Sequence, residues 1–138
     1  MNGQRVNIYV DGWCEKNPGR GGWRVMAGGE TVSERVMEKT TNNLCEYFAV
    51  IDAIRWVKKQ PHNKLWTIWT DSTTAIAWLR NNKVKTSLTD DKTVDIIKKC
   101  QDFVASIDND NFIVKKWHTK RLGEIPADFG RKKKTKRP

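Results

Sequence analysis

The spacing of the apolar residues changes along the chain, and this change restricts the possible folds more than any other feature of the sequence. Near the start, Val6, Ile8 and Val10 alternate with polar or aromatic residues, which is typical of a β-strand. Between residues 44 and 57, apolar side chains recur every third or fourth residue, which indicates an amphipathic helix. Because strands and helices each have an apolar side to bury, such a chain is expected to fold as layers of helix and sheet.

The same patterns predict five strands and four helices in the order β-β-β-α-β-α-α-β-α. The first strand is expected to end in a turn at Asp11-Gly12, and the long helix is expected to be capped near Asn42. The predicted strands cover residues 6–10, 23–27, 31–37, 65–70 and 112–117, and the predicted helices cover residues 43–59, 73–80, 92–107 and 125–131. This order predicts an α/β fold with a mixed five-stranded sheet, three antiparallel strands and then parallel ones, and helices on both faces.

The charge of the chain favours a polyanionic partner. The sequence has 26 basic and 16 acidic residues, and its last segment, 131–138, holds six basic residues and no acidic one. The rest of the chain is therefore still basic, as in many proteins that bind nucleic acid. The same charge also suits a solubilising surface, so both interpretations stay open. We expect one domain over residues 1–130 and a disordered basic tail over 131–138.

The cysteines and the hydropathy pattern indicate the compartment. The chain has three cysteines, an odd number with no close spacing, which argues against a disulfide framework and against a zinc site. No apolar run approaches the ~20 residues that span a bilayer. The N-terminal residues have no apolar signal region. A cytoplasmic protein with no membrane partner is expected, with a monomer as the default state.

Four carboxylates are placed where they could form a site. Asp11 and Asp71 each follow a predicted strand, Glu46 lies in the first turn of the long helix, and Asp128 lies near the start of the last one. Singly, each has an ordinary explanation as a turn residue, a helix cap or a charge that favours the helix dipole. If the two strands are parallel neighbours, however, Asp11 and Asp71 meet at their carboxyl ends, where open α/β sheets bind ligands.

Such a cluster would need a compensating cation. At about 4 Å, a like-charged pair costs about 4 kcal/mol at a near-surface dielectric. Oxygen-only ligands suit Mg²⁺ or Mn²⁺. Two such ions can stabilise both the attacking and the leaving oxygen when a phosphodiester is displaced in line. The residues therefore predict metal-assisted hydrolysis of a phosphodiester.

Four segments of the chain resemble type 1 ribonucleases H. Residues 11–22 resemble the first strand and loop of that family, and residues 40–46 resemble the start of its helix with the catalytic glutamate. Residues 70–72 resemble its third acidic motif, and His118, ten residues before Asp128, resembles its loop histidine and final aspartate. The segments follow the order of the family across about residues 6 to 132, which makes the combination far more specific than any single motif.

The resemblance implies an RNase H-like fold and a set of roles. Asp11, Glu46, Asp71 and Asp128 would hold two Mg²⁺ ions, with Mn²⁺ as a possible substitute, and Asp11 would bridge both. His118 would assist proton movement or product release, for which an unperturbed pKa near 6.5 is suitable. The implied activity is endonucleolytic hydrolysis of the RNA strand of RNA–DNA hybrids, leaving 5′-phosphate and 3′-hydroxyl ends.

The resemblance also implies how a hybrid duplex is held. Contacts to the riboses of the RNA strand would come from Gly12, Cys14, Asn17, Asn43 and Glu46, and a phosphate pocket for the DNA strand from Lys39, Thr41 and Asn42. Trp13 departs from the family, which usually has a small polar residue there, and its ring could stack on a nucleotide or narrow the groove. A basic helical handle found in some bacterial members is replaced by the short basic loop 80–86, and the basic tail could take over its role.

Three other functions remain open on the sequence. The chain could bind hybrids without cutting them, although all four acidic residues are present. It could be one domain of a larger protein such as a reverse transcriptase. It could also be another nuclease on the same fold, such as a junction-resolving enzyme, although the loop at Asn17-Pro18-Gly19 and the segment 40–43 favour the hybrid-cutting type.

Overall fold

The computed structural model describes residues 4–61, 63–108 and 110–127. The elements follow the predicted order. They are the strands β1 (Gln4–Cys14), β2 (Gly19–Ala27), β3 (Glu30–Thr40), β4 (Lys64–Thr70) and β5 (Phe112–Lys116), and the helices α1 (Asn42–Lys58), α2 (Thr73–Asn81), α3 (Asp91–Ser106) and α4 (Thr119–Leu122).

The strands form one five-stranded sheet in the order β3-β2-β1-β4-β5. β1 pairs with β2, and β2 with β3, in antiparallel ladders. On the other side, β1 pairs with β4, and β4 with β5, in parallel ladders. The predicted fold class is therefore confirmed, with β1 at the centre and parallel strands on one side only.

The main core lies between α1 and the sheet. Ile8, Val10, Val25 and Ile68 are fully buried and alternate with side chains on the other face of their strands. α1 contacts β1, β2, β3 and β4, and it is buried around most of its circumference, as expected for a helix packed between a sheet and further helices. This packing fixes the direction of α1 and places its first turn at one end of the sheet.

The opposite face of the sheet is contacted by the chain from Trp117 to Ala127, which includes α4. The ring of Trp117 packs against those of Tyr9 and Trp69, with centroid distances of 5.7 and 5.9 Å. Arg24 of β2 donates from Nε to the carbonyl of Ala127 at 3.1 Å. The described chain thus has material on both faces of the sheet.

Two sequence-based expectations about element ends were wrong. Asp11-Gly12 is not a turn, because β1 continues to Cys14 and residues 11–14 stay paired with residues 21–24 of β2. The last described helix is α4, earlier than the helix predicted over 125–131. It ends at Gly123, whose φ of +80° interrupts the helix. Residues 125–127 are not helical, and the rest of that prediction lies outside the described residues.

Candidate active site

Three of the four predicted carboxylates come together at one end of the sheet. Each of Asp11, Glu46 and Asp71 offers a carboxylate oxygen, and these oxygens lie within 4.8 Å of one another. Asp11 is 5% exposed and Glu46 is 7% exposed, while Asp71 is half-buried. Buried carboxylates this close repel one another strongly, since little water separates them. The arrangement therefore calls for a positive partner.

The parallel pairing of β1 and β4 brings the two aspartates together. The last printed pair of that ladder is Tyr9 with Trp69, so Asp11 and Asp71 lie at the same level, two residues beyond it. Asp71 directly follows β4 and precedes Ser72, whose hydroxyl caps α2 by accepting from the Ala75 amide at 3.0 Å. Both aspartates therefore lie at the carboxyl ends of neighbouring parallel strands, as the sequence predicted.

Glu46 reaches the same place because α1 approaches β1 unusually closely at Gly12. A Cβ atom on Gly12 would lie 2.7 Å from the Glu46 nitrogen and 2.8 Å from the Cys45 carbonyl carbon. Those neighbours are backbone atoms that cannot rotate away. Glycine is therefore required at this position, and its contribution is the close contact that brings the first turn of α1 onto the end of β1.

A polar cleft of about 320 Å³ opens beside the carboxylates. Its walls come from the end of β1, the first turns of α1 and α2, and the start of α4. The lining residues are Gly12, Asn42, Asn43, Glu46, Asp71, Ser72, Thr73, Thr74 and Thr119. Of the predicted substrate-binding residues, Gly12, Asn42 and Asn43 thus face the cleft. The three threonines were missed, since nothing in the sequence distinguishes them from ordinary helix-starting residues.

The loop before β2 is tied to the start of α1. Asn17 accepts at Oδ1 from the Asn42 amide at 2.9 Å, and Cys14 Sγ lies 2.9 Å from the Lys16 carbonyl oxygen. The helix cap is Thr41 rather than Asn42, because the Thr41 hydroxyl accepts from the Leu44 amide at 3.1 Å. The predicted ribose-contacting and phosphate-contacting segments are therefore held together as one unit.

Trp13 and Lys39 lie at the margin of this region. The Trp13 ring is half-buried under the Arg20 guanidinium, 5.5 Å from its centroid, and its indole lies over Gly22. Lys39 is exposed near the end of β3, where its charge acts on Asp90 and helps to lower the pKa of that carboxyl, after the hydrogen bonds from Thr93. Neither side chain is part of the described cleft lining.

The remaining two predicted residues are at the C-terminal side. His118 is exposed and directly precedes α4, next to Thr119 of the cleft. Asp128 lies outside the described residues. The residue before it, Ala127, is described and fully buried. The described chain therefore leads up to Asp128 along a packed segment.

Lys116 is a further residue of the site that sequence reasoning missed. Its ammonium donates to the carbonyl oxygen of Asp71 at 2.5 Å. The signal is in the β4–β5 register, which pairs Thr70 with Lys116 and so places Lys116 beside the turn that carries Asp71. The register is not visible in the sequence, so Lys116 had no distinguishing mark there.

The residues fit a hard divalent cation. Three carboxylate oxygens within 4.8 Å match the all-oxygen donor sets that Mg²⁺ and Mn²⁺ prefer, and no thiol or imidazole is among the grouped donors of the described residues. A bound cation would offset the repulsion among the carboxylates. The cleft beside them leaves room for water and for a phosphate group.

Comparison with known proteins gives the family. A sequence model of the RNase H family matches residues 3–121. The chain is 33% identical to a ribonuclease H of Rickettsia canadensis, with 92% of this chain and 86% of the relative covered. It is 32% identical to a ribonuclease H of Rickettsia massiliae, with 91% and 88% covered.

Solved structures show the same fold. An RNase H1 from the archaeon Halobacterium salinarum is similar with a TM-score of 0.55 and 23% identity, over 85% of this chain and 88% of that one. LC11-RNase H1 in complex with an RNA/DNA hybrid is similar with a TM-score of 0.52 and 18% identity, over 84% and 87%. On the extent of the sequence match, this chain belongs to the ribonuclease H family of enzymes.

Proposed function

We propose that this protein is an endonuclease that hydrolyses the RNA strand of RNA–DNA hybrids and leaves 5′-phosphate and 3′-hydroxyl ends. The observation that carries the proposal is the meeting of Asp11, Glu46 and Asp71, with carboxylate oxygens within 4.8 Å. Membership of the ribonuclease H family supports it, as does the similar fold of an RNase H1 that was crystallised with a hybrid.

Two Mg²⁺ ions, which Mn²⁺ could replace, are the proposed cofactors. Asp11, Glu46 and Asp71 would hold them, and Asp128 would be the fourth ligand. When bound, the ions supply Lewis acidity to the attacking water and to the leaving oxygen of the phosphodiester. The carboxylates fix the ions at the ends of β1 and β4, which are rigid because both strands are paired within the sheet.

Substrate recognition would use the unit formed by the loop before β2 and the start of α1. Gly12, Cys14, Asn17 and Asn43 are proposed to contact the riboses of the RNA strand together with Glu46, since selectivity for RNA must use the 2′-hydroxyl. The tie between Asn17 and Asn42 keeps these groups in one arrangement before the substrate arrives.

The second strand would be held beside this unit. Lys39, Thr41 and Asn42 are proposed to bind a phosphate of the DNA strand, and Trp13 is proposed to stack on a nucleotide next to the site. His118, exposed beside the cleft, is proposed to carry a proton away or to help release the product. The basic tail 131–138 would add phosphate contacts to the catalytic domain 1–130.

Two further points belong to this proposal. None of the described helices is long and apolar enough to cross a membrane. We propose that the enzyme acts in the cytoplasm as a monomer, with the hybrid duplex as its partner.

The test is cleavage of an end-labelled RNA–DNA hybrid beside double-stranded RNA, double-stranded DNA and single-stranded RNA, each with Mg²⁺, Mn²⁺ or EDTA. Asp71→Asn is compared with Asp102→Asn, a matched control in which an exposed aspartate on α3 is changed. We expect metal-dependent cutting of the RNA strand of the hybrid alone, abolished by Asp71→Asn and unchanged by Asp102→Asn. Hybrid binding should survive in Asp71→Asn.

The outcomes separate the alternatives. Tight hybrid binding without cutting of any substrate would favour a binding module instead. Cutting of double-stranded DNA or of a branched junction would favour another nuclease on this fold. Full activity of Asp71→Asn would overturn the assignment of the carboxylates.

A further inference from the structure

Arg24 lies beside Asp11 on the central strands of the sheet. In the β1–β2 ladder it is directly opposite Asp11. Directly opposite residues of an antiparallel pair carry their side chains on the same face, with Cβ atoms about 5 Å apart. The next residue, Val25, is fully buried in the core against α1, so Arg24 faces the other side of the sheet.

On that side, Arg24 holds the chain that leads to the fourth predicted carboxylate. Its Nε donates to the carbonyl oxygen of Ala127 at 3.1 Å. Ala127 is 0% exposed and Ile125 is 1% exposed, so this short segment is packed as well as hydrogen-bonded. A charged donor on a carbonyl makes a stronger and more directional restraint than a neutral one. Ala127 immediately precedes Asp128.

We propose that Arg24 is a positioning residue: by holding Ala127 from a place opposite Asp11, it sets Asp128 against the carboxylate cluster. The inference rests on the proposed function, because it takes Asp128 as the fourth metal ligand. Arg24 also brings a positive charge next to Asp11, which offsets part of the repulsion within the cluster. Neither the charge nor the hydrogen bond requires Arg24 to touch substrate.

The experiment is a calorimetric titration of Mg²⁺ into the full chain without substrate. Wild type, Arg24→Met, Asp128→Asn and the double variant are compared. Residues that orient metal ligands typically change metal affinity by 10- to 100-fold, so we expect Arg24→Met to bind Mg²⁺ about ten-fold more weakly. In the double variant the affinity should be no weaker than in Asp128→Asn, because Arg24 acts through Asp128.

Two further variants separate positioning from general stability. Arg24→Lys keeps a charged donor and should recover most of the affinity. Arg5→Met removes another arginine, at the far end of β1, which donates to the Thr67 hydroxyl at 3.2 Å. It should bind Mg²⁺ as wild type does. On a hybrid substrate, Arg24→Met should lower kcat more than it changes KM.

Wild-type Mg²⁺ affinity in Arg24→Met would overturn the inference, and so would losses that multiply in the double variant. If Arg24→Met does not fold, Arg24→Gln, whose side chain is shorter and uncharged, takes its place with the same expected loss. Failure of the proposed function looks different. In that case wild type would not cut hybrids, whatever the pattern of Mg²⁺ affinities. If wild type cuts and Arg24→Met matches it in both assays, the role of Arg24 alone is wrong.

Discussion

Two buried acidic residues of α1 lie in opposite surroundings. Asp52 is 8% exposed and accepts from Trp23 Nε1 at 2.6 Å and from Arg55 at 3.2 Å, with Arg35 Nε 3.7 Å away. Glu46, earlier on the same helix and 7% exposed, has the carboxylates of two aspartates within 4.8 Å instead. Equal burial on one helix therefore goes with two different purposes.

The difference is one of stability against function. The donors around Asp52 compensate for its removal from water and tie α1 to β2 and β3. Around Glu46, each like-charged pair at 4.8 Å costs about 1 kcal/mol at the dielectric of water and about 3 kcal/mol at an effective value of 20. A fold keeps such a cluster when a bound cation reverses its sign, so the metal-free enzyme should be strained at the start of α1 and relaxed in its middle.

The largest expected effect comes from Glu46→Gln. We expect cleavage of the hybrid to fall roughly a hundred-fold, since a lost metal ligand removes several kcal/mol of transition-state stabilisation. The metal-free protein should be as stable as wild type or more so, because one negative charge leaves the cluster. Steady-state kinetics and urea unfolding in EDTA check both halves. Lower stability in EDTA would place Glu46 in the same structural class as Asp52 and end the comparison.

Asp52→Asn should have the opposite pattern. We expect the free energy of unfolding to drop by about 3 kcal/mol, because the buried partner of two arginines loses its charge. The cleavage rate per folded molecule and its Mg²⁺ dependence should stay as in wild type. Urea unfolding with the exposed Asp102→Asn as control measures the first, and activity at low temperature the second. A hundred-fold loss of cleavage with intact folding would show that Asp52 serves the site.

Lys116→Met tests whether cations around the site act locally. The ammonium of Lys116 binds the Asp71 carbonyl, and a hydrogen bond to a charged group contributes about 1.5–3 kcal/mol. We expect kcat to fall about ten-fold. The control is Lys115→Met, the neighbouring lysine, whose ammonium lies 5.5 Å from the centroid of the Trp69 ring. Equal losses in the two variants would mean that the charge of β5 matters and the contact with Asp71 does not.

Much of the fold was predictable because it rests on local patterns. The alternation of Ile8 and Val10 and the helical spacing after residue 43 identify elements without knowledge of their partners. The end of β1 was mispredicted because Asp-Gly is a turn signal on its own. In the fold, the pairing of residues 11–14 with β2 overrides that preference. The helix predicted over 125–131 neglected Gly123, which ends α4 early.

The site divides along the same line. Asp11, Glu46 and Asp71 were predictable because strand ends and a helix start meet by rule at one edge of a sheet. Lys116 and Arg24 were not, since their positions depend on the register of β5 against β4 and of β2 against β1. Register is set by the whole sheet, so a residue whose role depends on it has no mark in the sequence.

The smallest expected effect concerns two buried thiols, and it probes the strain directly. Burial raises the pKa of Cys45, next to Glu46, to about 12, despite a hydrogen bond with Thr40, and raises that of Cys100 on α3 to about 11. At pH 8 the thiolate fraction is then about 10⁻⁴ and about 10⁻³, so both react with a thiol reagent mainly through local opening. If the carboxylates strain the start of α1, Cys45 should label a few-fold faster in EDTA than in saturating Mg²⁺, whereas Cys100 should be indifferent. Mass spectrometry of the labelled peptides measures both rates in one sample. Equal protection of both thiols by Mg²⁺ would mean that the ion stabilises the whole fold and that the strain is not confined to the site.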